Sequence, residues 1–210
     1  MHLVKADREH LQDAISEARA VLQKGGIIAC PTESSYGLCA RYDDQAALER
    51  LSLLKGRPGE KPFPLIIGKT GDLSLIATDA WPIALKLARE FWPGPLTLLF
   101  SARAGLHVLI SKDGKVAVRV PGASFALELA RSFGLPLTAT SANPAGLAPA
   151  TDARGVQDYF GDGVDLIVDA GKAPGGPAST IVDVTDGEVK TLREGAIDLG
   201  TIKRHLARIF

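Results

Sequence analysis

Lys55-Gly56-Arg57-Pro58 sets two cations one residue apart where an apolar helical pattern ends, and Lys61 follows a few positions later. Such cations either offset a helix C-terminal dipole, worth only about 0.3–1 kcal/mol, or receive an anion. Arg119 and Arg193 lie in short apolar stretches, Val116-Ala117-Val118-Arg119-Val120-Pro121 and Thr191-Leu192-Arg193-Glu194-Gly195. An unpaired guanidinium is costly in such surroundings, so each should meet an anion. That anion is either an internal carboxylate, Glu33 or Asp183, or a ligand carboxylate or phosphate gripped by two parallel hydrogen bonds. Two neutral segments add hydroxyls and an amide. Thr140-Ser141-Ala142-Asn143-Pro144-Ala145-Gly146 can cap a turn or bind phosphate and ribose oxygens, and Ala178-Ser179-Thr180-Ile181-Val182-Asp183 offers similar groups.

The elements that must position these groups alternate. Leu11, Ala14, Ile15, Ala18, Val21 and Leu22 recur at helical spacing behind Asp7, a possible N-cap, and predict a helix over 8–24. Ile27 to Cys30 reads as a buried strand, with Thr32 to Tyr36 as the loop leaving it and a second strand over 37–40. Ala47, Leu48, Leu51 and Leu54 predict a helix over 44–54 that delivers Lys55. Further strands are expected at 65–67, 96–102, 115–120, 136–140, 164–169, 180–184 and 189–193, and helices at 83–91, 125–133, 152–160 and 198–208. Interleaving of this kind predicts an α/β protein, a twisted mixed sheet with helical cover, in one domain over 1–210. The polar residues cluster at strand exits, where α/β sheets build their ligand crevices.

Composition narrows the function classes. Of 210 residues, 46% are hydrophobic and 23% charged, the balance of a globular protein with a core. Lys plus Arg and Asp plus Glu are both 24, so polyanions cannot be held by net charge alone. No apolar run is long enough to span a bilayer and the N-terminus is too charged for a signal peptide, so no membrane is expected and the cytoplasm is the expected location. Two cysteines, Cys30 and Cys39, and four histidines argue against a disulfide framework or a zinc centre; both thiols should be core residues. Gly68-Lys69-Thr70 lacks the earlier P-loop glycine, Phe63 standing in its place. Ser52 to Lys55, Ser141 to Asn143 and Lys69 to Gly71 spell serine-transpeptidase signatures in the wrong order.

Taken in order, Pro31-Thr32-Glu33-Ser34-Ser35-Tyr36-Gly37-Leu38, Lys55-Gly56-Arg57-Pro58 with Lys61-Pro62, Trp92 to Thr97, Ala117 to Pro121, Thr140 to Asn143 with Gly146, Ser179 to Asp183 and Leu192 to Gly195 resemble the YrdC-like threonylcarbamoyl-AMP synthases. The resemblance covers about 11–197. It implies a concave α/β site and an enzyme joining L-threonine, bicarbonate or CO2, and ATP with its Mg2+ into threonylcarbamoyl-AMP and pyrophosphate. The product would pass to a transferase complex acting on tRNA. By the same resemblance, Lys55 and Arg57 are the catalytic pair. Thr32, Tyr36, Arg119, Ser179 and Thr180 bind the amino acid, with Arg119 on its carboxylate. Lys55, Arg57, Lys61, Thr140, Ser141, Asn143 and Arg193 bind the nucleotide, with no metal held by protein ligands; Thr97 is a lesser candidate. Many relatives carry a histidine where Ile66 to Gly68 stand and a polar residue at Gly122, so a contact to threonine is in question at both places. The chain is expected to be the short, single-domain form. The alternatives are a non-catalytic module binding tRNA or double-stranded RNA, and a carbamoyl-transfer domain like those of hydrogenase-maturation proteins.

Overall fold

The structure is a computed structural model and describes residues 2–56, 61–78 and 80–207. Its elements are β1 (His2–Lys5), α1 (Leu11–Gln23), β2 (Ile28–Pro31), β3 (Tyr36–Cys39), α2 (Gln45–Leu54), β4 (Leu65–Ile66), α3 (Pro82–Phe91), β5 (Leu96–Ser101), β6 (Ser111–Lys112), β7 (Lys115–Arg119), α4 (Phe125–Phe133), β8 (Leu137–Thr138), β9 (Thr140–Ser141), α5 (Ala153–Phe160), β10 (Leu166–Asp169), β11 (Thr180–Asp183), β12 (Lys190–Arg193) and α6 (Leu199–Ala207). The helix expected over 198–208 ends at Ala207, and its last position lies outside the described residues.

The α/β class and the mixed strand directions hold, but the strands form two sheets. One has the order β1-β10-β2-β3-β9; the other runs β12-β11-β5-β7-β4-β8, with β6 on β7. In the first, β1, β10 and β2 are parallel and β3 and β9 antiparallel. Strand β2 is buried throughout, and its alternation divides the core. Ile28 and Cys30 pack toward α1 and α4 with Ala14, Ile15, Ala18, Leu22 and Leu129. Ile27 and Ala29 face the larger cluster, with Leu48, Leu51, Leu98, Phe100 and Val118. Each large apolar side chain so buried contributes about 1.5–3 kcal/mol relative to exposure.

Strand β1 was not foreseen. Its residues are mostly exposed, and it exists because it pairs with β10 from His2↔Leu166 to Lys5↔Asp169. Asp7 does not cap α1 as expected. The helix starts at Leu11, and Asp7 Oδ1 instead accepts from the backbone N–H groups of Glu9 and His10 in the preceding turn. Both cysteines are buried and unoxidised, their sulfurs 3.9 Å apart on neighbouring strands.

The strand expected over 136–140 positions the site. It splits into β8, which pairs with β4, and β9, which pairs with β3. One run of chain therefore passes from the second sheet to the first. The hand-over is fixed where Thr138 N donates to Ala40 O (2.9 Å) and Thr138 Oγ1 accepts from Ala40 N (2.9 Å). Ser141 and Asn143 emerge at this seam.

Candidate active site at the seam of two sheets

Helix α2 begins at Asp44, whose carboxylate accepts from Ala47 N (3.0 Å). Ala47, Leu48 and Leu51 fasten it to the core, and Lys55 stands at its C-cap before Gly56 turns left-handed at φ +63°. Lys55 is only 2% exposed. Its Nζ donates to Ser141 O (2.6 Å), Asn143 O (2.5 Å) and Asn143 Oδ1 (3.3 Å), while Lys55 O accepts from Ala145 N (3.0 Å). Asn143 Nδ2 donates onward to Leu147 O (2.7 Å) and Pro144 O (2.9 Å). The Lys-x-Arg and Ser-x-Asn motifs are thus stitched together. In this conformation the ammonium faces carbonyls, so it supports the loop rather than projecting outward. Arg57, its expected catalytic companion, lies outside the described residues.

The turn joining β2 to β3 is built by Thr32. Its Oγ1 donates to Ser35 O (2.8 Å) and accepts from the N–H groups of Ser34 (3.2 Å) and Ser35 (3.3 Å). Glu33, the next residue, reaches across to the second sheet and pairs with Arg119 Nη1 at the end of β7. Of the two internal carboxylates that could meet an arginine, Glu33 does; Asp183 pairs with Lys115 instead (2.6 Å). Gly122 lies under Glu33: a Cβ there would approach Glu33 Cγ to 3.2 Å and Glu33 Cβ to 3.3 Å. Glycine at 122 therefore makes room for the glutamate.

Arg193 completes the group from β12. Its Nη2 (2.7 Å) and Nε (3.1 Å) donate to Ser179 O, and Nη2 lies 3.3 Å from Ser179 Oγ, which hydrogen-bonds Thr97 Oγ1 (2.8 Å). Arg193 is exposed on the edge strand β12, and partial desolvation of its guanidinium, followed by the Arg119 charge, pushes it below its ordinary range. Glu33, Arg119, Arg193, Ser179 and Thr97 therefore form one cluster drawn from both sheets, with two guanidinium groups and one carboxylate.

Other expected residues serve the fold. Tyr36 is fully buried; its hydroxyl donates to Gly171 O (2.8 Å) and accepts from Ala170 N (3.3 Å). It is a tie between β3 and the loop after β10, not an exposed ligand group. Thr180 is also fully buried, and its Oγ1 donates to Ile197 O (2.6 Å) and accepts from Gly195 N and Ile197 N (3.0 Å each). It ties down the segment after Arg193. Thr140 is buried in β9, opposite Leu38, and Lys61 is exposed. Where a histidine was expected, Ile66 and Ile67 enter the two core clusters, and a Cβ on Gly68 would come within 2.7 Å of Arg131 Cα. That stretch of this chain packs against α4. From sequence Glu33 is only a candidate internal partner for an arginine, and its signal is a carboxylate in the turn after a buried strand.

The fold is a two-sheet α/β architecture in which Lys55 fixes the Ser-x-Asn loop where the chain passes between the sheets, and the Glu33–Arg119 pair bridges them. Residues 20–195 match the Sua5/YciO/YrdC family model, described as telomere recombination. The chain belongs to that family. It is 41% identical over 186 residues to a threonylcarbamoyl-AMP synthase of Chromohalobacter salexigens, covering 86% of this chain and 97% of that relative. It is 33% identical to the threonylcarbamoyl-AMP synthase of Pyrococcus abyssi, covering 96% of this chain but only 60% of the relative's length. The structure of P. abyssi Sua5 complexed with L-threonine superposes with a TM-score of 0.89 at 32% identity, over 98% of this chain and 60% of that one.

Proposed function

We propose that the protein is an L-threonylcarbamoyladenylate synthase: L-threonine, bicarbonate or CO2, and ATP give threonylcarbamoyl-AMP and pyrophosphate. The observation that carries the reading is that two guanidinium groups on one sheet are held in place by the fold, Arg119 by Glu33 reaching over from the first sheet and Arg193 by Ser179, whose hydroxyl bonds Thr97. Guanidinium groups fixed by the fold are an anion receptor prepared in advance. The relatives named for this activity, one of them a structure complexed with L-threonine, support the same reading.

In the proposed reaction the threonine amine captures CO2 as a carbamate, and a carbamate oxygen attacks the α-phosphorus of ATP, expelling pyrophosphate. No protein nucleophile is required; the protein orients and neutralises. Arg119 takes the amino-acid carboxylate, with Thr32 and Ser179 nearby. The loop of Ser141 and Asn143, fixed by Lys55, takes the nucleotide together with Arg193, and Arg57 and Lys61 are assigned to the phosphates. Among the described residues no group of three or more His, Cys, Asp or Glu could hold a metal, and Mg2+ is assigned to ATP as part of the substrate. Among the described helices none is long and apolar enough to cross a membrane. The cytoplasm is the proposed location, with a tRNA-modifying transferase complex as partner.

The test is pyrophosphate release from ATP in the presence of bicarbonate. Release that depends on L-threonine is the expected outcome. Release driven by carbamoyl phosphate instead, or none alongside salt-sensitive RNA binding, contradicts it.

A further inference from the structure

We propose that Glu33 is a positioning residue for the amino-acid carboxylate: it holds Arg119 by one edge so that the rest of the guanidinium is presented to the ligand. This rests on the function proposed above. The ion pair is one-sided, for Glu33 Oε1 meets Arg119 Nη1, and Oε2 is buried without a hydrogen-bond partner among the described residues. A salt bridge kept for stability alone would be expected to satisfy both oxygens, since a buried acceptor without a donor is a cost and a two-point Arg-carboxylate grip is available. Such a grip would also consume the guanidinium edge a ligand needs.

The other half of the pair has the complementary property. Among the described residues the buried side-chain nitrogens and oxygens left without partners are Arg19 Nε and Glu33 Oε2. Arg119 Nε and Nη2, for which the described residues offer no hydrogen-bond acceptor, are therefore not sealed away. The side chain as a whole is 12% exposed, and those donors are its open edge. Gly122 lets Glu33 lie where it does.

The experiment measures L-threonine binding by calorimetry and the KM values for threonine and ATP, in the full chain and in Glu33→Gln, Glu33→Ala and Gly122→Ala. For Glu33→Ala the threonine Kd and KM should rise at least tenfold while the ATP KM stays within twofold. Glu33→Gln, which keeps an acceptor without the charge, should fall between. Gly122→Ala, which pushes Glu33 by a few tenths of an ångström, should raise the threonine KM severalfold, and it gives the reading if Glu33→Ala fails to fold. Unchanged or tighter threonine binding in the Glu33 variants, even with a lowered melting temperature, overturns the inference. So does an unchanged threonine KM in Gly122→Ala. A wild-type chain that neither binds threonine nor releases pyrophosphate overturns the proposed function, and the role of Glu33 with it; a wild type that does both while the variants match it overturns only Glu33.

Discussion

At the scale of single residues, Lys55 and Arg119 divide the work. Lys55 satisfies two main-chain carbonyls and one amide oxygen from inside. Ser141 O keeps the Asn143 N–H (3.0 Å), but Lys55→Met takes the Lys55 donor from the Asn143 carbonyl and amide oxygens, which should cost on the order of 3 kcal/mol in denaturant unfolding and also remove activity. Loss of activity with full stability would show that the contacts to the loop are dispensable. Arg119 is proposed to take the amino-acid carboxylate, so Arg119→Ala should raise the threonine KM far more than the ATP KM in pyrophosphate-release assays; the reverse split would reassign it to the nucleotide. Tyr36 is a structural counterpart. Burial pushes its phenol up to about 12 from an ordinary 10. Between those values the unfolded chain loses the proton and the native chain keeps it. Stability therefore falls as pH rises through that window, by up to about 1.4 kcal/mol per unit. Tyr36→Phe lacks this slope, so unfolding free energies from pH 9 to 12 should decline more steeply in the wild type; parallel curves would contradict the buried phenol.

At the scale of elements, the segment that changes sheets is the vulnerable joint. Thr138 serves both sheets, accepting from Ala40 N and donating weakly to Leu38 O (3.4 Å). Thr138→Val keeps the shape but orphans the amide, with an expected loss of about 1–3 kcal/mol by chemical denaturation and a fall in turnover, because Ser141 follows directly. Undiminished turnover would separate the joint from the site. Most elements were legible in the sequence because their signals are local. The apolar period of α2 and the buried run of β2 depend on near neighbours. Strand β1 and the division of 136–141 between two sheets depend on pairings with β10, β4 and β3, which no local pattern records. The candidate site was legible as residue types, but not as directions. Nothing in the sequence turns Lys55 inward or sends the Tyr36 and Thr180 hydroxyls to backbone partners. The Glu33 and Arg119 pair joins residues far apart in the chain, and composition allowed Asp183 as readily.

For the molecule as a whole, the groups proposed to bind ligand hang from both sheets. The Thr32 turn and the Ser141 loop belong to the first, and Arg119, Ser179 and Arg193 to the second. On the proposed function a ligand held by groups of both sheets binds only the folded chain, so ATP with L-threonine should raise the melting temperature in a concentration-dependent manner. Saturation at a hundredfold excess over Kd corresponds to about 2.7 kcal/mol. An unshifted melting curve by calorimetry would mean that the two halves do not share a ligand. Formal neutrality, 24 basic against 24 acidic residues, places recognition in these local groups.

The central claim is tested most directly by mass spectrometry of the nucleotide product formed from ATP, L-threonine and 13C-bicarbonate. The expected result is an AMP adduct containing threonine and a single labelled carbon, absent when either threonine or bicarbonate is withheld. An unlabelled threonyl adenylate, or ATP returned only as ADP, would contradict it.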